Sequence, residues 1–586
     1  MFEIGPFVLD EPARVLRLDK REIALQPRVF DLLAYLVRNR ERVVSKDELL
    51  DAVWPGVTVT DNSLQRAVSS LRAALREGGM EDAVKNFPRS GYRILLDGAE
   101  ATQTTEVPAE AQSNSLGEAR RAVGDQRWHD AIALFENVAP NSLTARDLDL
   151  LALALQCAGD PSGTIPVLVR AVSAHAEAGH SEFAGADAAQ LAILHLERGE
   201  IALAKGWVAR ARGFTDGQET SAYGFLLYVR ARITAAEGNV HEALALADQA
   251  YEIGRKLKDL SVEALGLMYR GFFKLSLGDT EAGLADQDHA AAISLSSKID
   301  PVTGNVLYCN ILWACRTFGD WSRADQWTLG YQEFSTACSM EFSGACQLHR
   351  AEVLGTHGSL HDAKAHIDDA LSKLEGDAPW ALGDAHRVLG DIQSAIGNDD
   401  EALEAYDKSY SLGWDPEPGR AMLMLERGDA EGAYASLERS LIGKGWWTLQ
   451  RQGMLLAHLA LAAAHAGKIE KAKSLIEDIA GQEKRWPMPS IRALTNEASA
   501  VLARTRGDTT EALRHLHLAR QLWTGCGCRL HASQVRVQIA ALQLEQGDRA
   551  GAQTEIRAAR AVADELQSEK LKRECDALER KLEPVA

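Results

Sequence analysis

Apolar positions change their rhythm twice along the chain. The first 97 residues open on short alternating runs, FEIGPFVL, ARVLRL and EIAL, whose period of two predicts a small N-terminal sheet. Pro27 then opens a helix in which Phe30, Leu33 and Val37 share one face. Ser45 and Glu48 form S-x-x-E, a capping box ahead of a second helix over Asp47–Val53, which Trp54-Pro55-Gly56 stops. A third helix starts near Thr60 or Asp61, either of which can cap it, and continues to Arg76. Its Leu64, Ala67, Val68, Leu71 and Leu75 recur at the spacing of a buried face. The run from Lys85 to Ile94 reads as a terminal hairpin with Arg89-Ser90-Gly91 at its tip and Phe87, Tyr92 and Ile94 at its base.

Residues 98–115 lose periodicity and turn to Thr, Ser, Gln, Glu and Pro, the composition of a linker. From 116 to 586 the pattern is helical and repeats. Glycines at 124, 159, 199, 238, 278, 319, 358, 397, 428, 467, 507 and 547 follow one another at 35, 40, 39, 40, 41, 39, 39, 31, 39, 40 and 40 residues. Nine of them have Ala five positions later, as in GNVHEA (238–243), GNDDEA (397–402) and GDTTEA (507–512). A helical hairpin explains both features. Glycine ends the first helix because it tolerates the left-handed conformation, and the small Ala sits where the second helix crosses close to the first. One hairpin cannot bury its apolar face alone, so about twelve should stack into an α-solenoid. The short spacing of 31 spans GWDPEPGRAMLMLERGD (413–429), where Pro416 and Pro418 oppose a normal helix start. These repeats resemble the tetratricopeptide repeat in a longer form. The stretch from Leu307 to Gly428, through CRTFGDWSRADQW, GACQLHRAE and DPEPGRAMLMLERGD, is also similar to the repeat region behind LuxR-type regulators.

Charge separates the regions by task. The net charge is −19, yet residues 1–99 carry 15 basic and 15 acidic side chains, so the rest, with 49 basic and 68 acidic, holds all of it. From Leu64 to Ile94 six basic residues stand against three acidic. On the third helix, Gln65, Arg66, Ser69, Arg72 and Arg76 lie opposite the apolar face, with Ser70 and Ala73 between them. Long donors such as Gln65 and Arg66 can reach base edges, while Ser69, Ser70 and Ala73 let a helix settle into a major groove. Arg72 and Arg76 are placed for phosphates, and Arg89 for the minor groove or its phosphates. Asn62, Ser63, Lys85 and Tyr92 complete the candidate DNA-binding set.

Residues 22–97 resemble the OmpR/PhoB-type winged helix-turn-helix domain. The resemblance is carried by LQPRVFDLLAYL, VVSKDELLDAVWP, SLQRAVSSLRAAL and SGYR. It implies an α+β DNA-binding domain at 1–97, a reading helix in the major groove, and a dimer on tandem direct repeats of double-stranded DNA. Asn86 stands where relatives often carry Thr before the wing tip. No receiver domain precedes the segment, so phosphorylation within the chain is not expected as its input.

The remaining motifs exclude rather than assign. G-x-x-x-x-G-K-[ST], G-x-S-x-G and H-E-x-x-H are absent, so no enzyme, metal or cofactor is expected. His357, His361 and His366 gather around one repeat turn without metal-ligand spacing on one helix. Eight scattered cysteines, with only Cys526 and Cys528 adjacent, suit free thiols in a reducing compartment. The N-terminus lacks a signal-peptide pattern, and the most apolar stretch, Leu455–Ala464, is too short to span a bilayer and contains His458. The expectation is a mostly α, soluble, cytoplasmic bacterial regulator that reads DNA with helix 61–76 and wing 85–94. Its acidic repeats would receive a signal through a protein partner, self-association as a homodimer, or a ligand. The alternative is an interaction scaffold of tetratricopeptide type whose winged helix no longer binds DNA.

Overall fold

The computed structural model describes the chain apart from residues 1, 5, 11–13, 19–20, 24, 26, 41, 43, 54–63, 65–66, 69–70, 73, 79, 81–82, 88–90, 95–108, 216, 296–298, 375–378, 443–445 and 583–586. It divides into two compact units, Met1–Ser113 and Asn114–Ala586.

In the first unit β1 (Phe2–Ile4), β2 (Phe7–Asp10), β3 (Val15–Leu18) and β4 (Arg21–Ile23) form an antiparallel meander. Its register sets Leu9 opposite Leu16 and Leu16 opposite Ile23, and all three are buried. Helix α1 (Pro27–Arg38) buries Phe30, Leu33 and Val37 as its periodicity requires, and also Leu32 and Leu36, because its inward arc is wider than one stripe. Helix α2 (Lys46–Val53) starts one residue earlier than predicted. Ser45 Oγ accepts from the Glu48 amide at 3.2 Å, which is half of the predicted capping box. The Glu48 carboxylate instead accepts from Tyr35 Oη and Arg42 Nη1, each at 2.8 Å, and so ties α2 back to α1.

Helix α3 is described at 64, 67–68, 71–72 and 74–75 and ends in a 3-10 turn, Arg76–Gly78. Strands β5 (Val84–Phe87) and β6 (Gly91–Ile94) form the terminal hairpin. A third short strand segment joins it, since Val44 and Tyr92 exchange backbone hydrogen bonds at 2.9 and 2.8 Å. Gly91 permits that approach: its φ is 126°, and a Cβ there would lie 1.8 Å from the Val44 carbonyl oxygen. The stop at Trp54-Pro55-Gly56 and the cap at Thr60 or Asp61 fall outside the described residues.

The second unit is a stack of helical hairpins. Helix α4 (Ala109–Gly124) corrects the reading of 98–115 as linker: residues 109–115 are helical, and Ala and Glu favour a helix without apolar periodicity. From the pair α4–α5 (Trp128–Glu136) to the pair α26 (Arg529–Glu545) and α27 (Arg549–Leu566), twelve hairpins follow among the described residues, and α28 (Glu569–Leu582) ends the stack. Every hairpin after the first turns at one of the predicted glycines, and Gly124 is the last residue of α4. Eleven adopt φ between 70° and 113°, whereas at the first turn Gln126 takes the left-handed position. All nine alanines five residues beyond a turn, from Ala204 to Ala552, are fully buried. The prolines at 416 and 418 leave α20 (Gly419–Glu426) only eight residues long.

The solenoid winds tightly enough for successive superhelical turns to touch. Helices α12 (Leu260–Leu277) and α14 (Pro301–Phe318) pack on α22 (Trp446–His465), α16 (Gly344–His357) on α26, and α18 (Pro379–Ile396) on α28. Side chains close these seams onto backbone carbonyls: Gln450 Nε2 donates to Phe272 at 3.1 Å, Ser490 Oγ to Gly319 at 2.7 Å, and Ser568 Oγ to Ala395 at 2.7 Å. Part of the surface between these helices is therefore an interior.

Candidate nucleic-acid interface and polar interior

The inward face of α3 is settled. Leu64, Ala67, Val68, Leu71 and Leu75 are all buried in one cluster with Leu33, Val37 and Ile94. Asn62, Ser63, Gln65, Arg66, Ser69, Ser70 and Arg89 lie outside the described residues. Arg76 is exposed on the turn that ends α3, and Lys85 is exposed on β5. Two candidates are placed otherwise than the sequence suggests. Arg72 Nε and Nη2 donate to the Val84 carbonyl oxygen at 3.1 and 2.8 Å, so this arginine braces α3 against the hairpin instead of standing clear for phosphate. Tyr92 is buried at 5% exposure, because its strand is flanked by Val44, and it supports the hairpin from inside.

Ionic contacts fix the frame around this surface. Hydrogen bonds from Arg42 and Tyr35 hold the Glu48 carboxyl down at about 2. Arg93 Nε donates to the Arg40 carbonyl oxygen at 2.8 Å, linking β6 to the end of α1. Two arginines near the wing thus spend donors on backbone oxygens, which orients the hairpin relative to α3 and the end of α1.

The repeat unit carries its chemistry inside. Arg316 on α14 donates through Nη1 and Nη2 to Asp384 Oδ2 at 2.8 and 2.9 Å and also pairs with Glu352 on α16. Arg387 on α18 reaches Asp384, Glu352 and Asp391 at 2.8, 2.9 and 2.7 Å. Tyr406 Oη donates to Asp391 at 2.8 Å. Burial alone would push Asp384 up, but Arg316 and Arg387 overcome it and hold the carboxyl well below the usual range. Asp391 stands less compensated, and burial raises it to about 6.

Sequence reasoning missed this network, although a signal was present. Counted back ten positions from the turn glycine, the repeats carry Met268, Cys309, Leu348, Ala457 and Val537, but Arg387 and Glu497 break that apolar column. Six positions back, Phe272, Trp313, Met422, Leu461 and Val501 are interrupted by Glu352 and Asp391. A charge in a column of core residues marks an interior with a polar task.

The histidines and cysteines sort simply. Both ring nitrogens of His357 lie near backbone oxygens, Gly527 at 3.1 Å and Trp321 at 3.2 Å, and His366 Nδ1 lies 2.7 Å from Gln347 Oε1. Asp149, His175 and Asp187 bring ligand-type atoms within 4.8 Å of one another. His175 Nε2 is 3.0 Å from Asp149 Oδ1, and burial raises Asp187 to about 8, so a proton on Asp187 accounts for the group. All eight cysteines are free thiols, and six of them are buried. Among the described residues no helix is long and apolar enough to cross a membrane.

With this geometry, residues 20–94 match the family described as "Transcriptional regulatory protein, C terminal". The class is thereby defined: an N-terminal winged-helix domain of the OmpR/PhoB type, followed by a stack of helical hairpins. Among particular proteins, the segment is similar to the transcriptional activator CadC of Escherichia coli (strain K12), 27% identical over 95 residues, which are 16% of this chain and 19% of that protein. It is similar to the phosphate regulon transcriptional regulatory protein PhoB of Rhizobium meliloti (strain 1021), 30% identical over 95 residues, 16% of this chain and 42% of that protein. The chain thus spans less than half the length of either relative. Over the repeats, the crystal structure of Rap protein complexed with competence and sporulation factor aligns with a TM-score of 0.44 and 12% identity, covering 59% of this chain and 98% of that one.

Proposed function

We propose that the chain is a sequence-specific DNA-binding transcriptional regulator of the cytoplasm, without enzymatic activity. Helix 61–76 reads the major groove and wing 85–94 contacts the flanking groove. The observation that carries this reading is the burial of Leu64, Ala67, Val68, Leu71 and Leu75 together. Helical periodicity then assigns Gln65, Arg66, Ser69 and Ser70 to the opposite side, with donors long enough for base edges. Arg76 and Lys85 supply phosphate contacts at either end of the surface, and Arg89 reaches from the wing tip. Arg72 and Tyr92 support these groups from behind. The acidic repeats receive the signal, through a bound ligand, a protein partner or self-association.

Selection of random duplexes on the full chain tests the proposal. A recovered motif in direct repeat, protected from cleavage by the protein, is the expected result. Enrichment of no sequence would instead favour a scaffold whose winged helix has lost its DNA.

A further inference from the structure

We infer that the repeat unit binds a small organic cation, a protonated amine on an apolar or aromatic body, in the cavity enclosed between α14, α18, α22, α24 (Pro489–Thr505), α26 and α28. The cavity measures about 630 Å³, within the range of small-molecule sites. The inference stands apart from the DNA-binding reading, since it concerns the repeat unit alone.

Charge along the wall is unevenly balanced. Every arginine or lysine that lines the cavity already faces a carboxylate. Arg316 and Arg387 share Glu352 and Asp384, Lys570 meets Glu426 at 2.6 Å, Arg504 meets Glu545 at 3.0 Å, and Arg451 faces Asp415 at 3.7 Å. Of the lining carboxylates, Glu497 has no cationic partner among the described residues, while Glu574 has near it only Arg573 and Lys570, the latter already paired with Glu426. Glu497 accepts only neutral donors, Trp523 Nε1 at 2.8 Å and Gln538 Nε2 at 3.3 Å. Burial lifts it to about 7 and raises Glu574 as well. The neighbouring histidines do not supply the missing charge, because burial pushes His458 and His531 down to about 4. The empty position in the charge balance is positive.

The walls suit an organic ion better than a bare one. Trp523 stacks on His531 with ring centroids 4.6 Å apart, directly beside Glu497. Trp313 and Trp414, which meet edge to face at 6.3 Å, line the same cavity, as do apolar side chains such as Met454 and Leu494. Aromatic faces attract cations and cover apolar bodies, and Glu497 gives an ammonium its partner. One buried polar atom of the wall, His531 Nδ1, also lacks a hydrogen-bond partner in the protein, and a neutral imidazole nitrogen can accept from an ammonium.

The test uses the full chain at about pH 8, where Glu497 is ionised. Tryptamine, phenethylamine and cyclohexylamine are titrated by calorimetry and thermal denaturation against indole-3-propionate and phenylpropionate. At least one amine is expected to bind one per chain and raise Tm, while the carboxylates do neither. Glu497→Gln keeps the acceptor for Trp523 and should weaken that amine by about tenfold or more while the protein stays folded. Glu574→Gln serves as an independent second variant. Failure of all three amines, equal binding of the carboxylates, or undiminished affinity in both variants would overturn the inference.

Discussion

The two units solve the problem of an interior in opposite ways. The cluster around Leu33, Leu71 and Ile94 in the first unit is apolar, and among the described residues no charged side chain below Asp147 is buried. The repeat unit buries Arg316, Asp384, Arg387 and Glu417. Charges cost several kcal/mol each to desolvate, so a fold carries them inside only where partners compensate them or a ligand uses them. The winged helix is a dry wedge that works by its surface. The solenoid encloses a cavity whose wall carries Arg316, Asp384 and Arg387 beside apolar and aromatic side chains.

The largest expected effect bears on the dry unit. Gly91→Ala drives a Cβ into the Val44 carbonyl and should cost about 4 kcal/mol or more, releasing the hairpin. Amide exchange at Val44 and Tyr92 should rise to near the unprotected rate while the repeats keep their melting transition. Unchanged protection would show that the hairpin does not lean on this strand pairing. Next comes Asp384→Asn, which leaves Arg316 and Arg387 undercompensated and should cost about 3–5 kcal/mol of repeat-unit stability. Denaturant titration measures it, and a loss below ~1 kcal/mol would mean that water already screens the network.

Gly358→Ala and Gly467→Ala form a smaller, paired comparison. Both positions are left-handed, so each should lose about 1 kcal/mol. At Gly358 a Cβ would also meet Leu566 at 2.5 Å across the superhelical seam, whereas at Gly467 it meets open space. Gly358→Ala should therefore melt earlier than Gly467→Ala, and equal melting would deny that the turns press on each other. The smallest effect is a gain. Burial raises Glu497 to about 7, so the folded state keeps a proton that the unfolded chain gives up near 4.5. Stability falls as pH rises from about 4.5 to about 7 and stays lower above that window. Glu497→Gln removes this fall, matching the parent in acid and exceeding its Tm above pH ~7.

The legible parts of the fold were those written in local spacing. Turn glycines and the alanines five residues on define each hairpin without reference to any other, and Leu64 to Leu75 define the inward side of α3 by period alone. What was illegible depends on distant partners. Arg316 and Asp384 stand 68 residues apart and meet only because the hairpins stack. Arg72 and Tyr92 look like surface donors until Val84 and Val44 arrive beside them. Glu48 fits a capping box, yet Arg42 and Tyr35 offer its carboxylate stronger partners than one backbone amide. Residue type and period reveal which way a helix faces, and the identity of its neighbours comes from the rest of the chain.

The central claim is that the surface of the first unit reads DNA, and a salt titration tests it most directly. Full-length protein and its Arg66→Ala/Arg89→Ala variant are titrated against selected and random duplexes at two salt concentrations. The account predicts tight, salt-sensitive binding that favours the selected sequence, and a loss of about 2 kcal/mol or more together with a shallower salt slope in the variant. Binding that is absent, or that the variant leaves unchanged in strength and salt slope, would contradict it.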